Sequence, residues 1–141
     1  MSRYLLDTNI LVFLVSGQLD NISEETRDIL DDYNNQLYTS SISVTELVQL
    51  YRIKKIQQSK MFKTSSEMVS VIEKDFFIKI LPFSKEHIKK LTTIKISEGH
   101  NDPFDHAIIA HSITEKLTLI SSDRRFKEYI PQKLKFAFNK R

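Results

Sequence analysis

The chain has 141 residues, 28% of them charged and 40% hydrophobic, with a formal net charge of +3 and no cysteine. Such a chain can bury a real core and reads as one domain over 1–141, while the missing cysteine excludes disulfides, thiolate metal sites and cysteine nucleophiles. No stretch approaches the roughly 18 apolar residues of a membrane span, and "YLLDTNILVFLV", broken by Asp7 and Asn9, is no signal peptide, so a cytoplasmic chain is expected.

In chain order, "RYLLD" (3–7) reads as a short strand, apolar enough to be covered on both faces of a parallel sheet. "TNILVFLVSG" follows as a helix from Thr8, with Gly17 just past its end. A second helix opens at Ser23, with Glu24 and Glu25 suited to its positive end. "QLYTS" (36–40) is a strand, and 43–56 a helix beginning with Ser43 and Glu46. A polar helix near 65–75 leads to the strand "FFIKILPF" (76–83), stopped near Pro82. Ser84 starts another helix, and Gly99 sits in the turn after it. The helix 103–116 precedes the strand 117–121, and a last strand covers 134–138. Strands alternating with helices predict an α/β protein, with a mostly parallel sheet of four or five strands.

In open parallel sheets, ligands bind beyond the carboxyl ends of the strands. Asp7 ends the first strand, and Asp123 lies just past the fourth. Glu46 falls in the first turn of the helix after the second strand, and Asp102 and Asp105 open the helix that leads to the fourth. These acids can therefore face one edge. An oxygen-only cluster suits Mg²⁺ or Mn²⁺, and without a cation its members would repel one another and take up protons.

Each acid also has a purely structural reading. Asp7 is a good helix cap. Glu46 makes a capping box with Ser43 in "SVTE". Asp102 caps a helix whose first residue is Pro103, Asp105 suits the third helical position, and Asp123 fits a turn in "SSDRRF". Taken singly these suffice; they do not explain why all the acids gather at one edge.

Other chemistries find no support. His106 and His111 are five apart, not the four of a helical zinc pair. Two glycines leave no Walker loop and no dinucleotide fingerprint, and there is no G-x-S-x-G elbow.

"LLDTN" (5–9), the acid in "SVTEL" (43–47), "DPFDHAIIAHS" (102–112) and "LISSDRRF" (119–126) together resemble the PIN-domain ribonucleases, and within them the toxins of VapBC-type toxin–antitoxin pairs. The resemblance spans nearly the whole chain and implies a PIN-like three-layer α/β/α sandwich. It carries catalytic and metal-binding roles to Asp7, Glu46, Asp105 and Asp123, with Asp102 as a helper, and supporting roles to Asn9 and Ser121. Ser121-Ser122 stands where the family often has Thr-Arg; a serine hydroxyl still donates a hydrogen bond. The activity implied is Mg²⁺- or Mn²⁺-assisted hydrolysis of RNA phosphodiesters. The partners implied are a second copy of the chain and a cognate antitoxin protein.

Lys54, Lys55, Arg124 and Arg125 are candidates for holding RNA phosphates, with solvated surface charge as the competing role for each. Leu50, Tyr51, Met61 and Phe62 are candidates for an apolar partner surface, with core packing as theirs. Two rival functions stand beside the ribonuclease: a non-catalytic PIN-like module binding RNA or protein, and a metal-dependent nuclease acting on DNA. Loss of one acid would mark the first, and the acid set is intact.

Overall fold

Leu5 and Leu6 are neighbours in strand β1 (Arg3–Leu6), and both are fully buried, in two separate cores. Successive side chains of a strand point to opposite faces of a sheet, so β1 must be covered on both sides. The computed structural model, which describes residues 2–141, shows how. Strands β2 (Gln36–Ser40), β3 (Ile78–Leu81), β4 (Thr118–Ser121) and β5 (Lys135–Phe138) join β1 in a five-stranded sheet of order β3-β2-β1-β4-β5. Every pairing is parallel.

Among the described residues, six α-helices cover the sheet: α1 (Thr8–Val15), α2 (Glu24–Asp31), α3 (Ser41–Arg52), α4 (Ser65–Lys74), α5 (Lys85–Leu91) and α6 (Pro103–Glu115). Short 3-10 helices span Leu19–Asn21 and Arg124–Gln132. Leu6 and Ile120 pack with Ile10 and Leu11 of α1, Leu47 of α3 and Met68 and Ile72 of α4. Leu5 and Leu119 pack with Ile108 and Ile109 of α6 and with Phe126 and Tyr129 of the second 3-10 helix. The result is the expected α/β/α sandwich. Among the described residues, no helix is long and apolar enough to cross a membrane.

The chain builds outward from β1 through β2 to β3, then returns to lay β4 on the other side of β1. Connections leaving β1 and β4 therefore diverge, which opens a crevice at their carboxyl ends. Asp7 and Asp123 follow those two ends.

Three expected boundaries move. Helix α3 starts at Ser41 and not at Ser43, because the Ser40 hydroxyl accepts from the Ile42 N–H (3.1 Å) and caps it one strand-end earlier. It also ends at Arg52, short of residue 56. Strand β3 begins only at Ile78; Phe77, with φ 55°, turns the chain out of α4 and is exposed. Residues 124–132, to which the sequence pattern assigns no element beyond the turn in "SSDRRF", form the second 3-10 helix. The caps at Ser23 and Asp102 occur as expected, and Gly17 takes a left-handed φ of +67° just beyond α1.

Candidate active site

Asp7 is the N-cap of α1, and it is buried. Its Oδ1 accepts from the Thr8 N–H (2.8 Å), and its Oδ2 accepts from the Ser121 hydroxyl (2.6 Å) and the Asn9 amide (3.3 Å). Asn9 also donates to Ser121 Oγ (3.0 Å) and accepts from the Ser122 N–H (3.2 Å). Asn9 and Ser121 thus clamp Asp7 between the ends of β1 and β4. Burial pushes the Asp7 carboxyl up to about 7, against the Ser121 and Thr8 bonds, and the charges of Asp105 and Glu46 push the same way.

Glu46 stands in the second turn of α3, so the expected capping box with Ser43 does not form. Ser43 lies inside the helix, buried, and its hydroxyl has no partner. Glu46 Oε1 instead accepts from the Thr8 hydroxyl at 2.8 Å, across to α1. Its pKa is raised by burial, and further by Asp102 and Asp105.

Asp102 and Asp105 differ as their positions in α6 require. Asp102 is exposed, and its Oδ1 accepts from the Phe104 N–H at 2.9 Å, the bond of a helix cap ahead of Pro103. Asp105, one turn in, is half-buried, and its Oδ2 meets His100 Nε2 at 2.9 Å. Burial raises its pKa, with Asp102 and Asp123 adding repulsion and the His100 bond opposing.

Asp123 caps the second 3-10 helix by accepting from the Arg125 N–H (3.0 Å). The Arg125 guanidinium forks onto both its oxygens, the shortest contact being 2.8 Å, and lies 3.8 Å from Asp105. Burial favours the neutral acid, but the bonds and charge of Arg125 outweigh it and hold Asp123 below its usual range. Arg125, one of the candidates for holding phosphate, is engaged by two of the acids.

Four acids from four elements are brought to one edge and sense one another's charge. Among the described residues, no group of three or more His, Cys, Asp or Glu side chains stands arranged to hold a metal ion. The donor set nevertheless fits a hard divalent cation: it is all oxygen, it is mutually repulsive, and Arg125 already supplies positive charge between two members. Thr8, read only as a helix start, and His100 are members of this site that sequence reasoning missed. The local signal of His100 is its position five residues before Asp105.

The other candidate residues spread out. Lys54 and Lys55 are exposed past the end of α3, whose last residue, Arg52, lies about 9 Å along the helix axis from Glu46 at about 1.5 Å per residue. Arg124 lies over the Phe138 ring (5.2 Å). Phe62, offered as partner surface, is 1% exposed and belongs to the core, where it meets Tyr51 edge-on. Met61 is exposed. Leu50 lines an apolar groove of about 550 Å³ with Val44, Val48 and Phe104, and Glu46 stands in its wall.

No curated protein sequence matches the chain. Among solved structures it is similar to VapBC2 from Rickettsia felis bound to a promoter DNA fragment, with 23% identity, TM-score 0.65, and 97% of this chain and 98% of that one covered. It is likewise similar to DNA-bound VapBC from Salmonella typhimurium, with 19% identity, TM-score 0.63 and 98% of each chain covered. VapBC-5 from Mycobacterium tuberculosis matches at 12% identity and TM-score 0.62, over 98% of this chain and 99% of that one. At such identities the likeness is one of fold. The sequence itself matches the family model of the PIN domain over residues 4–130, from β1 into the 3-10 helix that follows Asp123. With four of the five strands and all four acids inside that match, this protein belongs to the PIN domain family.

Proposed function

We propose that this protein is an endoribonuclease dependent on Mg²⁺ or Mn²⁺, and the toxin of a type II toxin–antitoxin pair. One observation carries the reading. Asp7, Glu46, Asp105 and Asp123 reach one crevice from four elements, and a neighbouring donor steers each of them. Structural caps alone would need none of the bonds from Ser121, Thr8 or His100. The VapBC likenesses, one of them described as a toxin–antitoxin system, support the pairing with an antitoxin. We further read the chain as a single PIN-like domain over 1–141, acting in the cytoplasm as a homodimer.

Asp7, Glu46, Asp105 and Asp123 would hold the cation, with Asp102 adding negative charge at the rim. Bound there, such an ion would supply an activated water and would offset charge at the phosphate. The chain's own residues do the rest. Ser121 and Asn9 keep Asp7 aimed from β1, and Thr8 keeps Glu46 turned toward it. Arg125 moderates the repulsion between Asp105 and Asp123 and, once displaced from them, becomes free to meet a phosphate. Arg124, Lys54 and Lys55 offer further positive charge along the surface.

The test is cleavage of RNA and DNA of matched sequence, with Mg²⁺ or Mn²⁺ and with excess EDTA. RNA cutting that stops in EDTA is expected. Cutting of DNA alone makes the protein a DNA nuclease; cutting of neither, with binding retained, makes it a binding module. Undiminished cutting in EDTA removes the metal from the mechanism.

A further inference from the structure

His100 is fully buried, yet both of its ring nitrogens are engaged. Nδ1 lies 2.9 Å from the Tyr129 hydroxyl, and Nε2 lies 2.9 Å from Asp105 Oδ2. Tyr129 is itself fully buried in the second 3-10 helix. Its oxygen accepts from the Ser97 N–H (3.1 Å), so the phenol proton has the imidazole Nδ1 as its acceptor. Filling Nδ1 this way leaves the ring proton on Nε2, where it donates to Asp105.

The loop that carries His100 is pinned as well. The His106 ring bonds the His100 carbonyl through Nε2 (2.7 Å), and the His100 N–H donates to the Ser97 carbonyl (3.0 Å). One carboxylate oxygen of Asp105 is thereby held from behind, and its Oδ1 is left for the crevice. We propose that Tyr129 and His100 form a positioning relay that fixes the orientation of Asp105 toward the cation. This inference rests on Asp105 being a ligand of that cation. The relay acts through Asp105; neither of its members touches the reacting atoms.

Orienting partners behind a ligating group typically contribute 10–100-fold in metal affinity or activity. The first measurement is on the metal-free wild-type protein: histidine ring ¹⁵N correlation spectra should show His100 protonated at Nε2 and bare at Nδ1. The second is Mn²⁺ affinity by electron paramagnetic resonance of the free ion. Tyr129→Phe should erase the fixed tautomer and weaken Mn²⁺ about tenfold or more. On RNA it should lower kcat more than it changes KM. His100→Ala should do the same, and His100→Gln, whose amide can donate to Asp105, should recover part of the loss.

Wild-type His100 protonated at Nδ1 overturns the relay and needs no variant to be folded. So do folded Tyr129→Phe and His100→Ala proteins with unchanged Mn²⁺ affinity. Asp105→Asn separates the two levels. If it leaves Mn²⁺ affinity unchanged, Asp105 is no ligand and the relay falls with it. If it weakens Mn²⁺ while His100→Ala does not, only the relay falls.

Discussion

The Thr8 hydroxyl donates to Glu46 Oε1 at 2.8 Å, tying the first residue of α1 to the second turn of α3. This bond replaces the capping box that "SVTE" suggests. Glu46 therefore has no part in starting α3, and its place beside Asp7 is a matter of tertiary structure. Glu46→Gln should keep the melting temperature within about 2 °C, since the amide oxygen can still accept from Thr8. It should lose on the order of a hundredfold in cleavage rate, because the charge is gone. Thr8→Val keeps the shape and removes the donor. It should cost about tenfold in rate. Equal rates for Thr8→Val and wild type would show that Glu46 needs no guide.

Asp102 and Asp105 divide two tasks in one helical turn. Asp102 bonds the Phe104 N–H, and Asp105 bonds His100 and faces the other acids. Asparagine caps a helix about as well as aspartate but brings no charge. Asp102→Asn should keep both the fold and most of the activity, losing only its contribution to the field at Glu46 and Asp105. Asp105→Asn should keep the fold and lose on the order of a hundredfold in rate. Turnover and melting temperature for each variant decide it: a dead Asp102→Asn beside an active Asp105→Asn reverses the roles.

The strands were legible as short segments alternating with helical stretches, and β1 is nearly all apolar, as a strand covered on both faces demands. Asp7, Asp102, Asp105 and Asp123 stand at strand ends and helix starts, where pattern alone marks a position; Glu46 stands one turn deeper than its pattern suggests. What failed has physical reasons. "SVTE" has the spacing of a cap, but that spacing also recurs inside any helix; the real cap is Ser40, whose hydroxyl sits where β2 ends. "RRFKEYIPQ" hid its 3-10 helix because Phe126 and Tyr129 are three apart, a repeat that suits 3-10 geometry and is too brief to read. His100 was invisible for a different reason. Its meaning depends on Tyr129, 29 residues along the chain, and no local pattern encodes that pairing.

Asp7 makes the metal-free protein sensitive to base. Its folded pKa, about 7, lies above the ordinary aspartate value of 3.8, so the folded state holds a proton that the unfolded state releases. Stability contributed by that proton is complete below about pH 4 and is lost as pH rises through 7. Asp7→Asn cannot titrate. Its amide would also face the Asn9 amide, which adds a cost independent of pH. The stability difference between wild type and Asp7→Asn in EDTA should therefore shift against wild type as pH rises from 4 to 7, by up to about 1.4 kcal/mol per pH unit. Urea unfolding across that range measures it; a difference that stays constant with pH would refute the burial argument.

His111 should give the opposite slope. It is fully buried in α6, with Nδ1 on the Ser40 hydroxyl at 2.9 Å and Nε2 without a hydrogen-bond partner. The His87 ring stacks on it at 4.0 Å, and Phe83 lies edge-on at 5.6 Å. Burial pushes its pKa down from 6.5 to about 4; His87 adds to this, and Glu115, which bonds His87 at 2.7 Å, opposes it. The folded state thus refuses a proton that the unfolded chain accepts. Stability is complete above pH 6.5 and is lost as pH falls toward 4. His111→Asn keeps a partner for Ser40 and removes the titration. Relative to that variant, wild type should lose up to about 1.4 kcal/mol for each unit of acidification between pH 6.5 and 4. Glu46 and Asp105 titrate in both proteins and cancel from the difference. Because Ser40 caps the helix that carries Glu46, the same acidification should loosen α3 first, and amide exchange at Ile42 and Ser43 should quicken before exchange in β1. Uniform exchange across the two elements would separate His111 from the cap it touches.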